Sequence, residues 1–218
     1  RLRLWQMHLL LLALLALLVP VSAGATLIQL SEMSSDETSA SDLSALVDIA
    51  VSGTELTIVL ENQSQYAITD FYFNASGSVS VLSLSSIEIA SIDQTAAWSA
   101  EVNLTATGFG ADGFGAYDVH VFNTDNLSAT TQIEIAQTGT FKFTVNSGLD
   151  MLDFVELSTI PPGEFQKLFS AKFQAGPGDD SAFGGSASVV PEPTAPLLFG
   201  VGCLVVGAAL RRRAVPAH

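Results

Sequence analysis

Residues 98 to 104 read Trp98-Ser99-Ala100-Glu101-Val102-Asn103-Leu104, with apolar and polar side chains in strict alternation. Successive side chains of a strand point to opposite faces, so this alternation predicts a strand with one face in a core and the other in solvent. Nothing in the segment has the 3.6-residue apolar period of an amphipathic helix.

The same two-residue period recurs on both sides of this segment. It is clear in residues 56–60, where Leu56, Ile58 and Leu60 share a face, and in residues 141–145. Shorter apolar segments are separated by Ser-, Gly-, Asn- and Asp-rich turn material; they are residues 66–73, 79–84, 87–92, 117–122, 133–135, 154–157 and 169–173. About nine or ten short strands predict an all-β fold, an antiparallel β-sandwich with a jelly roll as one version.

The N-terminal segment has the pattern of a secretory signal peptide. Arg1 and Arg3 precede the apolar run Leu9–Val19, and small residues, including Ala23 and Ala25, stand where a signal peptidase cuts. We therefore predict a signal peptide over residues 1–25, read by the general secretion machinery.

The C-terminal segment places three features in a fixed order. Pro191-Glu192-Pro193 comes first, the uncharged apolar segment 194–210 follows, and Arg211-Arg212-Arg213 ends it. Seventeen residues span about 25 Å as a helix, the short end of what a bilayer requires. We predict a single transmembrane helix whose arginines stop transfer, with residues 214–218 as a cytoplasmic tail.

This order resembles the PEP-CTERM sorting signal of exported bacterial proteins, over residues 189–213. The resemblance implies that an exosortase, a membrane-embedded processing enzyme, recognises Pro191, Glu192 and Pro193 and cleaves close to them. It implies transient anchoring in the inner membrane, then a cell-surface or extracellular-matrix location associated with exopolysaccharide and biofilm. It does not extend to the preceding domain.

Between the two ends we predict residues 26–175 as the sandwich domain. Residues 31–44, rich in Ser, Asp, Glu and Thr, are predicted to be a mobile start. Residues 176–188, rich in Gly, Ser and Asp, are predicted to be a flexible tether to the sorting signal.

The exported part is strongly acidic. All 22 acidic residues except Glu192 lie in residues 26–188, against three lysines, so its net charge is 3 − 21 = −18 with histidine neutral. Such a charge repels nucleic acid and anionic lipid, because binding either depends on neutralising phosphates with Lys and Arg, and we predict no nucleic-acid partner. Cys203, the single cysteine, lies in the apolar C-terminal segment, so no disulfide can form within the exported domain.

Catalytic and metal-binding residues are few. His120 is the one histidine of the exported part, and we interpret it as a plain surface or edge residue. We predict no enzyme and no resident cofactor. Ca²⁺ is the one metal with candidate ligands, Asp112, Asp179 and Asp180, although solvated turn aspartates are the default and the spacing of a calcium loop is absent.

Two further patterns have both a functional and a structural interpretation. Asn62, Asn74, Asn103 and Asn126 each start an Asn-x-Ser/Thr sequence, a glycosylation acceptor in eukaryotes but ordinary strand and turn composition in a bacterium. Aromatics at 71–73 could stack on sugars, but packing on both faces of a strand is the favoured interpretation.

The sequence thus predicts an exported, non-enzymatic surface or matrix protein. Two alternatives remain: a carbohydrate-binding or adhesive module, with polysaccharide as its partner, and a secreted hydrolase with a pair of carboxylates.

Overall fold

A computed structural model of the protein describes residues 26–33, 43–104, 108–125, 130–159, 166–174 and 181–190, all within the compact unit Ala25–Glu192. These residues are all-β and contain no α-helix. Their strands are β1 Thr26–Met33, β2 Ala45–Ser52, β3 Glu55–Asn62, β4 Ala67–Phe73, β5 Leu82–Ile89, β6 Ile92–Asp93, β7 Trp98–Val102, β8 Phe109–Ala111, β9 Gly115–Tyr117, β10 Val119–Asn123, β11 Thr138–Val145, β12 Phe169–Gln174 and β13 Ser181–Val190.

Eleven of the described strands form one antiparallel sheet. Its order is β6-β5-β11-β3-β2-β1-β13-β12-β4-β10-β7, and β8 and β9 form a separate hairpin. The alternation from which the strands were predicted is visible in the burial of four of them, but not in β7, where Trp98 is buried and Val102 is exposed. In β2, β3, β10 and β11 the buried residues recur at every second position along most of each strand.

The sheet curls so that its inward face encloses one core. Strands β4 and β11 lie six places apart in the sheet, yet Phe71 of β4 meets Phe141 of β11 edge-to-face at 4.7 Å between ring centroids. Phe73 meets Phe143 in the same way at 5.6 Å. Each of these rings is buried, and a buried phenylalanine contributes about 1.5–3 kcal/mol. Strand β5 also contacts β7, so the two margins of the sheet approach each other.

A second, smaller core lies on the outward face. The β8–β9 hairpin covers part of β4 and β13 there, and the enclosed side chains are Tyr72, Ala111, Phe114, Tyr117 and Phe183. The buried Lys167 pairs with Glu32 and lies over the ring of Phe114. The interpretation of residues 71–73 as packing on both faces is confirmed, since Phe71 and Phe73 belong to the inner core and Tyr72 to the outer one.

Several predicted segments differ from the structure. Ser85 and Ser86 lie inside β5, where the register with β11 shifts, so the predicted break between two strands is wrong. Residues 133–135 contribute only an isolated bridge, Ile133 to Ile68. Residues 151–154 form a 3₁₀ turn in place of the strand predicted from Phe154 onward, because Asp150 and Asp153 cap that turn.

The predicted tether, residues 176–188, is wrong for residues 181–188, and Val189 and Val190, predicted as the start of the sorting signal, continue the same strand. Residues 181–190 form β13, which pairs with β1 on one side and β12 on the other, near the middle of the sheet. The predicted mobile start is likewise shortened, because β1 continues to Met33. Residues 34–42 lie outside the described part.

Candidate functional site: the end of the sheet where both chain ends leave

The first and last described strands are neighbours and leave the sheet at the same end. In the antiparallel register of β1 with β13, Leu27 pairs with Val190 and Ile28 with Val189. Paired Cα atoms of adjacent strands lie about 5 Å apart. The chain therefore enters this domain at Thr26 and leaves it at Val190 side by side.

The loops at this end are bonded to one another. We call it the exit end; it comprises residue 26 at the start of β1, residue 190 at the end of β13, the turn at Gly53, and residues 74–81 and 146–157. Val145 N donates to Thr54 O at 2.9 Å, and Ser76 N donates to Asp153 O at 2.7 Å. The Asn146 side chain accepts from Ser80 N at 2.8 Å and donates to Ser78 O at 3.2 Å. The exit end is therefore a connected surface.

Three apolar side chains of the exit end stand in solvent. Leu152 is 66% exposed, Leu157 53% and Val81 47%, and we call these three residues the apolar rim. Leu152 belongs to the 3₁₀ turn Met151–Phe154, which contacts β2, the neighbour of β1. The turn is fixed from below by Phe154, which is fully buried in the main core.

Acidic side chains lie close in the sequence to the two leucines of the apolar rim. Asp150 accepts from Leu152 N at 2.8 Å, and Asp153 accepts from Asp150 N at 2.9 Å, which completes a capping box. The Ser76 hydroxyl also donates to Asp153, at 2.6 Å. That bond first, and the backbone bond from Asp150 second, lower the pKa of the Asp153 carboxyl below its usual value. Glu156 is exposed beside them.

His120 is not the plain surface or edge histidine that the sequence predicts. It lies on β10, between β4 and β7, and its side chain is only 19% exposed. Its ring stacks on Tyr72 at 4.4 Å, and its Nε2 is 2.8 Å from Asp70 Oδ1. The Thr69 hydroxyl donates to the other oxygen of Asp70 at 2.7 Å. The alternating pattern could not reveal this arrangement, because it depends on which strands become neighbours.

Tyr72 itself is 5% exposed under the β8–β9 hairpin. It therefore offers no ring face to a sugar, and the interpretation of residue 72 as a carbohydrate contact is wrong. Burial, with the Asp70 charge as a second cause, raises the pKa of the Tyr72 phenol. Burial also raises the pKa of the Tyr117 phenol.

Of the candidate calcium ligands, only Asp112 is described. It is exposed in the turn between β8 and β9. Within the described ranges, no three His, Cys, Asp or Glu side chains come together as a metal site would need. Asp179 and Asp180 lie outside those ranges, so calcium binding by the three aspartates stays a prediction.

The residues predicted to direct export also lie outside the described part: Ala23, Ala25, Pro191, Glu192, Pro193, Arg211, Arg212 and Arg213. The ranges 1–25, 194–210 and 214–218 do so as well. Among the residues that are described, no helix is long and apolar enough to cross a membrane.

No protein-family model matches this chain, and neither a curated protein nor a solved structure is significantly similar to it. The class that the fold and the site define is an all-β domain whose described strands form a large curled antiparallel sheet and a small hairpin, with the start of β1 beside the end of β13.

Proposed function

We propose that this chain is an exported, non-enzymatic cell-surface or extracellular-matrix protein, sorted and cleaved by an exosortase at its C-terminal signal. The observation that carries the proposal is the pairing of Leu27 with Val190. Before signal cleavage the proposed chain is held at the membrane through segments at both termini, and exits at one end of the folded domain let both segments reach the membrane through short connections. The register of β1 and β13, with Leu27 opposite Val190, supports this arrangement.

The sheet suits a domain that works outside the cytoplasm without disulfides. We propose that this curled sheet is an antiparallel β-sandwich, with a jelly roll as one version; the rings of β4 and β11 that meet across the interior support it. Its core of phenylalanine, isoleucine, leucine and valine supplies the stability that disulfides supply in many smaller secreted domains.

Localisation and partners follow from the chain ends and the charge. The signal peptide delivers the chain through the inner membrane by the general secretion machinery, and the C-terminal helix anchors it there until processing. With a net charge of 3 − 21 = −18 over residues 26–188, the exported part repels nucleic acid and suits a hydrated polysaccharide matrix.

The test replaces the proposed recognition motif and follows the mass of the chain. In a host with an exosortase, we expect the wild-type chain to lose the residues after about Pro193. The double variant Pro191→Ala/Glu192→Ala keeps them. Intact-mass analysis of the membrane and extracellular fractions measures the difference.

The matched control is Pro162→Ala/Glu164→Ala, which changes the same two residue types elsewhere in the chain and leaves processing at the wild-type level. If the wild-type chain keeps its whole C-terminus in that host, the proposed function is wrong. A conventional membrane anchor is then the better description of residues 194–210.

A further inference from the structure

We propose that the apolar rim, Leu152, Leu157 and Val81, is a docking surface for the membrane-embedded enzyme that processes the C-terminus. The partner would present apolar side chains together with cationic ones at the level of the membrane surface. This inference rests on the proposed function and adds a second recognition element to it. The enzyme would read the folded domain as well as the motif that follows Val190.

The apolar rim lies at the end of the sheet from which the chain continues to the C-terminal motif. Val190 is the last described residue before Pro191, and it leaves the sheet at the exit end. A partner that binds the residues after 190 therefore also faces the loops of that end. The 3₁₀ turn that carries Leu152 lies against β2, one strand away from β1 and two from β13.

The leucines of the apolar rim are exposed on a rigid support. Single exposed apolar residues are common, but Leu152 and Leu157 lie five positions apart on one bonded surface, both more than half exposed. The capping box, the bond from Ser76 to Asp153 and the buried Phe154 hold that surface in place. Because it is ordered before binding, docking would cost little conformational entropy.

The acidic side chains beside the apolar rim favour a protein partner over the bilayer itself. Asp150, Asp153 and Glu156 stand between and beside the two leucines, and they would be repelled by anionic lipid headgroups. Apolar side chains interleaved with carboxylates fit a protein surface that offers apolar contacts and cationic groups to pair with them. The observations therefore favour the processing enzyme as the occupant.

The test measures the rate of processing of the full chain by pulse–chase in a host with the exosortase. We expect Leu152→Ser/Leu157→Ser to slow the appearance of the processed form about tenfold, the effect of losing about 1.4 kcal/mol of binding. The matched control is Ile92→Ser/Ile135→Ser, which removes two side chains that are 62% and 56% exposed at the opposite end of the sheet. That control should be processed at the wild-type rate.

A second pair of variants tests the charge. Glu156→Lys reverses an exposed charge of the exit end and should slow processing, whereas Glu61→Lys on β3 reverses an exposed charge away from it and should not. All four side chains of the serine variants are exposed, so thermal unfolding midpoints should match the wild type and separate docking from folding.

The outcomes distinguish this inference from the proposed function. Processing of the wild type, the rim variant and the control at one rate would overturn the docking surface alone. If the wild type is not processed, the proposed function fails, and the docking surface fails with it. If wild type binds vesicles of zwitterionic lipid through the rim while processing is unchanged, the occupant is the bilayer and the inference is wrong.

Discussion

Asn62 joins two separate segments of the chain, residues 62–66 and the segment at Ile133, through one buried amide. Its Nδ2 donates to Tyr66 O at 2.8 Å and to Ile133 O at 2.7 Å. Its Oδ1 accepts from Ser64 N at 2.8 Å. Asn74 has a similar role at the exit end, where its Oδ1 accepts from Asp118 N at 2.7 Å. Both side chains are buried, so neither residue is available as a glycosylation acceptor in the folded domain.

Removing the Asn62 amide should destabilise the domain by about 3 kcal/mol, because buried backbone groups lose their partners when it is gone. The measurement is urea unfolding of Asn62→Ala followed by circular dichroism. Gln63→Ala is the control, since the bonds of the Gln63 side chain are exposed, to Ser44 and Glu61. Equal unfolding midpoints for the two variants would show that the buried amide contributes nothing.

The sequence shows that these residues are polar and lie in or beside apolar segments, but it does not show which residues they contact. Asn62, Asn74 and His120 are recognisable as polar residues inside or beside apolar segments. Their partners lie 71, 44 and 50 residues away, at Ile133, Asp118 and Asp70. A local pattern cannot supply such pairs, so the burial of the amides and the His120–Asp70 contact needed the structure.

Among the strands, β13 was the hardest to predict from its composition. It is Gly-, Ala- and Ser-rich, a composition of low strand propensity and typical of a linker. Its small residues are required by packing on both faces. A Cβ on Gly184 would lie 2.8 Å from the ring of Phe173, and one on Gly185 would lie 3.1 Å from the ring of Phe114.

The position of β13 predicts which truncations fold. A chain ending at Val190 should fold, whereas one ending at Gln174 should not, because it leaves β1 and β12 with unpaired edges in the middle of the sheet. Circular dichroism and limited proteolysis of the two truncated chains, each without residues 1–25, measure this.

Gly184→Val in the longer chain should destabilise it, because the added side chain would collide with the ring of Phe173. Gly148→Val is unsuitable as a control, since a φ of +87° would itself strain a valine. Gly77, which has open space around it, is the suitable control site. If a chain that ends at Gln174 is stable and unfolds cooperatively, residues 181–190 are not needed for folding, and their interpretation as a tether is the better one.

The strongly alternating strands were predictable for a physical reason. In β3 and β11 one face meets the core and the other meets solvent, so burial imposes the two-residue period directly. Strand β13 is covered on both faces by aromatic rings, so packing selects small residues there and removes the period. Its neighbours decide its composition, and they are distant in the sequence.

For the whole molecule, the two buried phenols, Tyr72 and Tyr117, are expected to make the free energy of unfolding fall at alkaline pH. The pKa of Tyr72 and that of Tyr117 are raised in the folded protein, so their neutral forms are favoured there. Stability from this source is present below the unfolded value of about 10 and is lost as the pH rises above it. Above that pH, each tyrosine should lower the free energy of unfolding by about 1.4 kcal/mol per pH unit.

Urea unfolding between pH 9 and 11.5 measures this loss, and tyrosinate absorbance should follow unfolding for these two residues. The double variant Tyr72→Phe/Tyr117→Phe should lose less stability with pH than the wild type. Tyr117→Phe alone should not destabilise the protein at pH 7. Its hydroxyl is buried near Ser158 and Ser170 without hydrogen-bond geometry to either. The same pH dependence in wild type and double variant would contradict this assignment.

How much of the exit end was predictable differs from one part to another. Apolar segments and motifs at both ends are visible in the sequence, and they predict export. That β1 and β13 leave the sheet together depends on the pairing of Leu27 with Val190, 190 − 27 = 163 positions apart, which no local pattern encodes. The exposure of Leu152 and Leu157 depends likewise on a capped turn that replaces the expected strand.

The pairing of the first strand with the last also fixes when the domain can be completed. In the proposed export, which starts from the N-terminus, β1 crosses the membrane first and β13 crosses last. One edge of β1 therefore stays unpaired during nearly the whole of transport. During that interval the strands on either side of the gap form two partial sheets with exposed edges, to which another chain in the same state could add. A transport step that stalls late, with residues 181–190 still inside, would therefore be more harmful than one that stalls early, since it leaves the most structure unclosed.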